Sequence, residues 1–286
     1  MPMLVIVSLM WAFSFGLIRH YLFSLDSAAV ALLRLCLSCL AFLPWLRFRG
    51  VGAKMAASLA AIGAVQFGLM YLLYLEAFQS LAAHQVAVLT LLTPIFVSLF
   101  DAGFAQRLLL RPVFAAAMAV GGAMIIMASH PLGHAEWRGI LLVQASNACF
   151  ALGQLLFKRL HAQQSRANTT HWFAWMYLGA VLVALPYAAG RLAATIVIVS
   201  STQALVIGYL GIVASGLGFF LWNRGATQVN TATLAVMNNA KIPLGVAASL
   251  VVFGETTNYV RLTVGAVLIG IALVVAEERS RGAPSI

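Results

Sequence analysis

Residues 236–255 read VMNNAKIPLGVAASLVVFGE. The stretch is apolar over the length of a membrane-spanning helix, yet Lys241 lies near its middle, after Asn238 and Asn239. A charged side chain near the centre of a bilayer costs about 2.5–3.5 kcal/mol on insertion scales, so Lys241 is expected to face protein or water. On a helical period, Asn238, Lys241 and Gly245 share one face that is polar or small. The stretch therefore predicts a spanning helix that lines a cavity.

The composition indicates that lipid surrounds most of the chain. Of the 286 residues, 63% are hydrophobic and 8% are charged, and the mean hydropathy is +0.98. A soluble domain of this length needs far more charge on its surface. The net charge is +10, but the basic residues are scattered in short loops without a basic stripe. Nucleic acid is therefore not an expected partner, and the lipid bilayer with its anionic headgroups is.

A hydropathy window of about 19 residues predicts ten membrane spans joined by short loops. The spans lie at about 3–19, 27–46, 55–79, 84–101, 112–128, 139–157, 171–189, 203–223, 230–253 and 258–276. The first apolar run lacks a basic start and a signal cleavage site, so we expect it to be retained as a span. The predicted fold is an all-α integral membrane protein.

The distribution of Lys and Arg predicts the orientation of the spans. With the N-terminus inside, the basic residues of the cytoplasmic side are Arg47, Arg49, Lys54, Arg107, Arg111, Lys158, Arg159, Arg166, Arg224, Arg279 and Arg281. The opposite side carries only Arg19, Arg138, Arg191 and Arg261. This excess of eleven over four predicts that both termini lie in the cytoplasm.

An internal repeat appears when residues 71–128 are laid on 220–277 without gaps, a shift of 149. The informative matches are Gln79 with Gln228, Pro94 with Pro243, and Gly121 with Gly270. We expect one five-helix unit at 1–128, a second at 139–276 and a short cytoplasmic tail at 277–286. Because five is odd, the second unit is inverted, and inverted repeats place a site near the midplane that opens alternately to each face.

Four motifs resemble the EamA-type transporters of the drug/metabolite transporter superfamily. They are LMWAFSFG (9–16), LLRLCLSCLAFLPWL (32–46), LTLLTPIFVSLF (89–100) and IPLGVAASLVVFGE (242–255). The resemblance implies a ten-helix protein of the bacterial inner membrane, with two inverted five-helix repeats and outward transport. It also draws attention to Arg34, because the family often has arginine there, although a headgroup contact is as plausible as a pathway role. In this sequence Gln106 stands where members of the family usually have a glutamate at the end of span four.

Lys241 is the leading candidate for binding substrate. We expect its ammonium group to bind a carboxylate or another anionic group, with Asn238 and Asn239 supplying amide hydrogen bonds. Pro243 removes a backbone N–H and so breaks the helix, freeing carbonyl groups near residue 239. The alternative is structural: Lys241 ties its helix to a carbonyl or an acid on a neighbouring helix. Pro94 is the matching helix break of the first repeat.

Other polar and aromatic residues in the spans are candidates for a cavity lining. The lining candidates are Trp11, Ser14, Gln66, Tyr74, Gln144 and Asn147, with Trp222 and Asn223 in span eight. Trp11 is the better lining candidate, whereas Trp222 lies near a span end and is more typical of an interface anchor. Glu76 could take up a proton during the cycle, or it could be an interfacial carboxylate reached by water.

Enzyme and cofactor chemistry are not expected. The chain lacks the H-E-x-x-H motif and any Walker loop, and its six histidines fall mostly in loops or near span ends. Ser215 and Gly216 form a Ser-Gly pair, but no histidine inside a span is placed to act as its base. Cys36 and Cys39 form a C-x-x-C without a second pair, so we expect packing thiols and no metal site.

The sequence therefore predicts a secondary carrier of small metabolites, with amino acids or related carboxylates as the leading substrates. A sugar-phosphate or nucleotide-sugar carrier is an alternative that should place more cations in the cavity. A non-transporting membrane scaffold or sensor is another, and it would need neither a polar midplane face nor inverted symmetry. The small residues of spans five and ten could also pack a homodimer.

Overall fold

A computed structural model describes residues 2–47, 51–104, 114, 117–118, 121–122, 125, 134–164, 169–229, 234, 237–238, 245–246 and 248–277. Within these ranges the chain forms helices and no strands. Seven helices are long and apolar enough to cross a membrane: α1 Pro2–Tyr21, α2 Ser27–Trp45, α3 Ala53–Ala77, α4 Ala83–Phe104, α5 Glu136–Ala162, α6 Thr169–Ile198 and α7 Ser201–Ala226. The last helix, α8, is Tyr259–Glu277.

The helices follow the predicted spans closely. Helices α1 to α4 correspond to spans one to four, α5 to α7 to spans six to eight, and α8 to span ten. The described residues of span five, and those of span nine up to Val251, are helical as well. Predicted span seven, 171–189, is too short, because α6 passes through Pro186 and continues to Ile198. A spanning helix tolerates proline where its neighbours satisfy the freed backbone groups, and the alanine-rich segment beyond favours helix.

Four of the helices contain a local change of winding. Helix α3 is π-helical over Ala64–Leu69, and α7 is π-helical over Tyr209–Leu217. Helix α4 narrows to a 3₁₀ turn over Thr90–Leu92, and α2 ends in another over Leu43–Trp45. Such segments change which side chains and carbonyl groups face a neighbouring helix, and π-helical turns are frequent at functional sites.

Glycines bring α3 and α6 into close contact. A Cβ atom on Gly63 would lie 1.9 Å from the carbonyl oxygen of Met176, and one on Gly179 would lie 2.0 Å from that of Ala60. One turn further along α3, the Phe67 ring stacks on Tyr177 with ring centroids 5.0 Å apart. Small residues let spanning helices approach closely, so this contact sets the spacing of the bundle next to α7.

The described parts of spans five and ten also touch. A Cβ on Gly122 would lie 2.7 Å from the carbonyl oxygen of Gly265, whereas no described residue lies within 4 Å of a Cβ on Gly270. The outer surface of the bundle carries large apolar side chains such as Leu141, Leu182 and Leu205, which are more than half exposed. A surface of this kind is stable in contact with lipid and not with water.

Candidate functional site

A cavity of about 80 Å³ lies at mid-depth in the bundle. Helices α1 to α4 of the first half and α5 and α7 of the second half line it. The lining residues are Trp11, Ser14, Phe15, Ile18, Arg34, Met70, Tyr71, Tyr74, Thr90, Thr93, Ser146, Asn147, Phe150 and Phe219. The volume holds several water molecules. The lining mixes aromatic walls with a few polar groups, the usual make-up of a small-molecule site.

Arg34 is the cation of this cavity. Its side chain is 2% exposed, and its Nη2 donates to the Tyr71 hydroxyl at 2.8 Å and to the Ser215 hydroxyl at 3.1 Å. The guanidinium also lies over the Tyr71 ring, 4.2 Å from its centroid. Within the described part of the chain, its Nε and Nη1 have no hydrogen-bond partner. Among the described residues, no acid forms an ion pair with Arg34, so the site presents an uncompensated positive charge.

The π-helical segment of α7 holds Ser215, one of the two hydrogen-bond partners of this arginine. Ser215 lies within Tyr209–Leu217, and its hydroxyl is 2.8 Å from that of Tyr71. The wider turn leaves nearby carbonyl groups open to side chains: Trp11 Nε1 donates to the Ala214 carbonyl at 2.7 Å, and Tyr177 donates to the Ser215 carbonyl at 2.8 Å. The segment thus ties α1, α2, α3 and α6 together around Arg34.

Asn147 supplies the amide group on the opposite wall. Its Nδ2 donates to the Leu89 carbonyl at 3.0 Å and to Gln144 Oε1 at 3.2 Å. The Leu89 carbonyl is accessible because α4 changes to a 3₁₀ turn immediately afterwards, ahead of Pro94. The Thr93 hydroxyl donates to the Thr90 carbonyl at 2.7 Å, which satisfies the acceptor that the proline nitrogen cannot pair. Gln144, which accepts the hydrogen bond from Asn147, holds that amide in place and is not itself part of the cavity lining.

Four aromatic rings close the cavity toward the end that the basic residues assign to the cytoplasm. We call Trp11, Phe150, Phe219 and Trp222 the aromatic layer. The Trp11 ring centroid is 5.1 Å from those of Phe219 and Trp222 and 6.1 Å from that of Phe150. The prediction of Trp222 as an interface anchor is wrong, because its side chain is fully buried. Neighbouring helices cover it although it lies near the end of its own span.

Behind the aromatic layer lies a group of fully buried amides. Gln66 Nε2 donates to Asn223 Oδ1 at 3.0 Å, and Trp222 Nε1 donates to Gln154 Oε1 at 3.0 Å. Gln66 and Asn223 were expected at the lining, but they lie one turn beyond it. Arg34, Tyr71 and Gln154 are the residues that sequence reasoning undervalued or missed. Their common signal is a polar side chain near the middle of a spanning helix.

Ion pairs tie the helix ends on the side assigned to the outside. Glu76 accepts from Arg138 at 2.7 Å and from the hydroxyl of Ser27, and Asp26 pairs with Arg191 at 3.2 Å. Glu76 therefore lies at the outer helix ends and not in the cavity. Proton uptake by Glu76 stays a prediction.

Glu255 makes the remaining pair and joins span nine to α4. Its carboxylate is 2.7 Å from His84 Nδ1 and accepts the backbone N–H groups of Ala83 and His84 at 2.8 and 2.9 Å. Burial by itself would raise the pKa of Glu255, but these hydrogen bonds outweigh burial and lower the pKa from its ordinary value of 4.5. The carboxylate also neutralises the positive end of the α4 dipole.

The remaining candidates divide between described and undescribed residues. Trp11, Ser14, Tyr74 and Asn147 do line the cavity. Asn238 is fully buried and donates to the Leu234 carbonyl at 3.0 Å, which leaves its Oδ1 without a partner. Asn239, Lys241 and Pro243 lie outside the described residues. Across the described ranges, no group of three His, Cys, Asp or Glu residues is placed to hold a metal ion.

The described helices form a bundle with an apolar outer surface, a buried arginine and an internal cavity, which is the architecture of a polytopic membrane protein. The EamA-like transporter family matches residues 1–128 and 137–276. The chain therefore belongs to the EamA-like transporter family, as its motifs predicted.

Individual relatives match over most of their length. A biotin transporter of Salmonella typhimurium (strain LT2) is 39% identical over 277 residues, which cover 94% of this chain and 90% of that protein. A biotin transporter of Escherichia coli (strain K12) is 38% identical over 274 residues, with the same coverage. A probable amino-acid metabolite efflux pump of Salmonella typhimurium is 25% identical over 175 residues, 58% of this chain and 57% of that protein.

A solved structure is similar across the whole fold. The two chains superpose with a TM-score of 0.65 at 19% sequence identity, and the match covers 97% of this chain and 98% of the other. At this identity the similarity concerns the fold alone.

Proposed function

We propose that the protein is a secondary carrier that moves a small carboxylate-bearing metabolite across the bacterial inner membrane, with Arg34 binding the carboxylate. The observation that carries this proposal is the buried, unpaired guanidinium in the cavity. A buried charge is costly unless an opposite charge or a set of hydrogen bonds compensates it. A carboxylate ligand would supply both to the free Nε and Nη1 groups, because charge-assisted hydrogen bonds to arginine are strong and directional.

Biotin is the leading candidate substrate. It carries a carboxylate on a flexible chain, which fits the charge of Arg34, and a compact ring system, which fits the aromatic walls. The relatives that cover this chain almost completely are named biotin transporters. An amino acid is the second candidate, because the more distant relative is named an amino-acid metabolite efflux pump and because Arg34 would accept any carboxylate.

Binding of biotin to the purified protein tests the proposal. We expect wild type to bind biotin, and to bind biotin amide, which lacks the charge, more weakly. Arg34→Gln should weaken biotin binding by about 10- to 100-fold, because about 1.5–3 kcal/mol of charge-assisted hydrogen bonding is lost. The variant should also bind biotin and biotin amide with equal affinity. Isothermal titration in detergent measures both affinities.

Lys54→Gln is the matched control, because Lys54 is an exposed cation at the start of α3, outside the cavity lining. It should bind biotin like wild type. A folded Arg34→Gln protein that keeps the full preference for biotin over its amide would contradict the proposal. Binding of glycine or leucine with the same dependence on Arg34, in the absence of biotin binding, would instead favour an amino-acid carrier.

Alternating access between two inverted five-helix repeats is the proposed mechanism. Two observations support it: the family matches the two halves of the chain separately, and the two π-helical segments fall in spans three and eight, which the shift of 149 relates. Outward transport, which the resemblance implied, stays a prediction. Efflux and uptake of labelled substrate in vesicles of both orientations would measure the direction.

Fewer observations support the other functions, a different carrier or a protein that does not transport. A sugar phosphate or nucleotide sugar carries at least two negative charges, whereas Arg34 is the only cation that lines the cavity among the described residues. A scaffold or sensor would have no need for an unpaired guanidinium in a cavity.

Two further proposals concern the site and the assembly. Lys241, with Asn238 and Asn239, is proposed as a further anion contact. A homodimer through the open face at Gly270 is proposed for the assembly.

A further inference from the structure

Three helices each place an amide at the same depth, one turn beyond the cavity. Gln66 lies four residues from Met70 on α3, Gln154 four residues from Phe150 on α5, and Asn223 four residues from Phe219 on α7. Met70, Phe150 and Phe219 all line the cavity. Because α5 and α7 run opposite to α3, the three amides lie on the same side of the cavity, the side assigned to the cytoplasm. We call Gln66, Gln154 and Asn223 the amide cluster.

The amide cluster is completely buried, yet it leaves hydrogen-bonding groups unused. Each of the three side chains is 0% exposed. After the bonds from Gln66 to Asn223 and from Trp222 to Gln154, three atoms stay without a partner: Gln66 Oε1, Gln154 Nε2 and Asn223 Nδ2. Native proteins keep few such groups, and each one calls for an explanation. One acceptor and two donors from three different helices are the complement of a planar group that has one acceptor and a donor.

Close packing brings these amides together. A Cβ atom on Gly153, next to Gln154, would lie 2.2 Å from the Cβ of Gln66. The absence of a side chain at Gly153 therefore lets α5 approach α3 at the depth of the cluster. The indole of Trp222 connects the cluster to the aromatic layer, since its ring contacts Trp11 while its Nε1 binds Gln154.

We propose that the amide cluster is a second binding subsite, which takes an uncharged planar donor–acceptor group, a cyclic urea or an amide, when the aromatic layer parts. Gln154 Nε2 and Asn223 Nδ2 donate to the carbonyl oxygen of that group, and Gln66 Oε1 accepts one of its N–H groups. Because the amide cluster contains no charged group, it distinguishes ligands by the arrangement of their hydrogen-bond donors and acceptors and not by their charge. The inference rests on the proposed function, because the substrate that Arg34 binds by its carboxylate must then pass the cluster on its way to the cytoplasmic side.

The two subsites predict a substrate with two different ends. One end is a carboxylate held by Arg34, and the other is a neutral urea or amide. In biotin a flexible hydrocarbon chain joins the two ends, and this chain would lie against the aromatic layer. A simple carboxylate without a urea would use the first subsite alone.

Binding of three carboxylates to the detergent-solubilised full chain tests the inference. Biotin and desthiobiotin both carry the cyclic urea, whereas lipoate has a similar carboxylate chain and lacks the urea. Wild type should bind the two ureas at least about 10-fold more tightly than lipoate. Gln154→Met and Asn223→Leu remove a donor at nearly constant volume, and each should weaken biotin binding by about 10-fold while leaving lipoate binding unchanged.

Gln228→Met is the matched control, because Gln228 is an exposed amide just beyond the end of α7. It should leave every affinity unchanged. If the cluster variants melt at a lower temperature but keep the ratio of biotin to lipoate affinity, the cluster is only a structural tie and the inference is overturned. If Gln154→Met does not fold, Gln66→Met measures the same ratio.

The failure of the proposed function gives a different result. In that case wild type would bind none of the three carboxylates, or Arg34→Gln would bind them normally. The isolated cyclic urea imidazolidin-2-one then tests the cluster alone. A rise in melting temperature of wild type that Asn223→Leu abolishes would support the subsite, and equal behaviour of the two proteins would overturn it.

Discussion

At the scale of single residues, the chemistry of the protein centres on Arg34. A guanidinium inside a membrane protein needs a partner, and here two hydroxyl groups and one aromatic face share that role. Neutral hydrogen bonds and a cation–π contact stabilise the charge without cancelling it. The residue is therefore held in place and remains able to attract an anion. A paired arginine would be a structural tie, whereas the absence of an ion pair with any described acid supports the binding role proposed for Arg34.

Lys241 allows a prediction at the same scale. Lys241→Gln should weaken biotin binding, because an intramembrane ammonium group is expected to face the pathway. If Lys241 and Arg34 hold the same carboxylate, the double variant with Arg34→Gln should lose less affinity than the sum of the two single losses, by at least about 0.5 kcal/mol. Titration of the four proteins with biotin measures this coupling. Wild-type affinity in the folded Lys241→Gln protein would reject the binding role.

At the scale of helices, departures from regular α-helix create the site. The π-helical turn of α7 exposes carbonyl groups to Trp11 and Tyr177, and the 3₁₀ turn of α4 exposes the Leu89 carbonyl to Asn147. Regular helices bond all of these carbonyl groups internally, so they would leave the buried side chains without partners. The irregular turns thus allow polar groups to stay inside an apolar bundle.

The contact between α3 and α6 gives a prediction about stability. Gly179→Ala should lower the melting temperature or the folded yield, because its Cβ would lie 2.0 Å from the Ala60 carbonyl oxygen. Overpacking of this kind costs about 1–3 kcal/mol. Gly190→Ala is the control on the same helix, since none of the described residues lies within 4 Å of its Cβ position. Size-exclusion profiles and thermal unfolding of the two variants measure the difference, and equal stability would contradict the close packing.

The link between Glu255 and α4 gives a prediction about pH. Because the pKa of Glu255 is lowered in the folded protein, its stabilisation is complete above its ordinary pKa and is lost as the pH falls through the lowered value. Glu255→Gln should therefore lower the melting temperature at pH 7 by about 2–4 °C, for a loss of about 1 kcal/mol. The difference from wild type should vanish in acid.

Thermal unfolding in detergent across pH 3 to 8 tests this prediction. Glu136→Gln is the matched control, because Glu136 lies at the start of α5, on the side assigned to the outside, and takes part in none of the three ion pairs. It should unfold like wild type at every pH. A destabilisation by Glu255→Gln that persists unchanged into acid would show that the carboxylate charge contributes nothing.

At the scale of the whole molecule, the polar ties among the described residues are unevenly distributed across the membrane. The three ion pairs all lie at the end assigned to the outside, while the aromatic layer and the amide cluster lie on the other side of the cavity. Charged pairs are readily broken by water, whereas the aromatic layer must move apart as packed side chains. The two ends of the pathway would therefore open by different local events.

The orientation itself is open to a direct measurement. With Cys36, Cys39 and Cys149 replaced by alanine, a cysteine introduced at Ser201 should react with a membrane-impermeant maleimide on intact cells, because the predicted orientation places the start of α7 outside. A cysteine at Gln228, just beyond the other end of α7, should react only after permeabilisation. The reverse pattern would contradict the predicted cytoplasmic termini.

The sequence by itself determined that the chain is a helical membrane protein of this family. It also located spans one to four, six to eight and ten, although span seven runs further than predicted. About 20 consecutive apolar residues are a local property, and no contact with the rest of the chain is needed to make them span a bilayer. The same local reasoning identified Trp11, Ser14, Tyr74 and Asn147 as lining residues, because polar or aromatic side chains inside a span are unusual enough to notice.

Only the tertiary structure decided which polar groups meet. Arg34 and Ser215 are 181 residues apart in the chain, and their contact depends on how α2 and α7 are rotated about their own axes. That rotation is set by side-chain packing between helices and by the π-helical turn, neither of which hydropathy measures. For the same reason Trp222, which lies near the end of its span, is buried among other helices and is not an interface anchor.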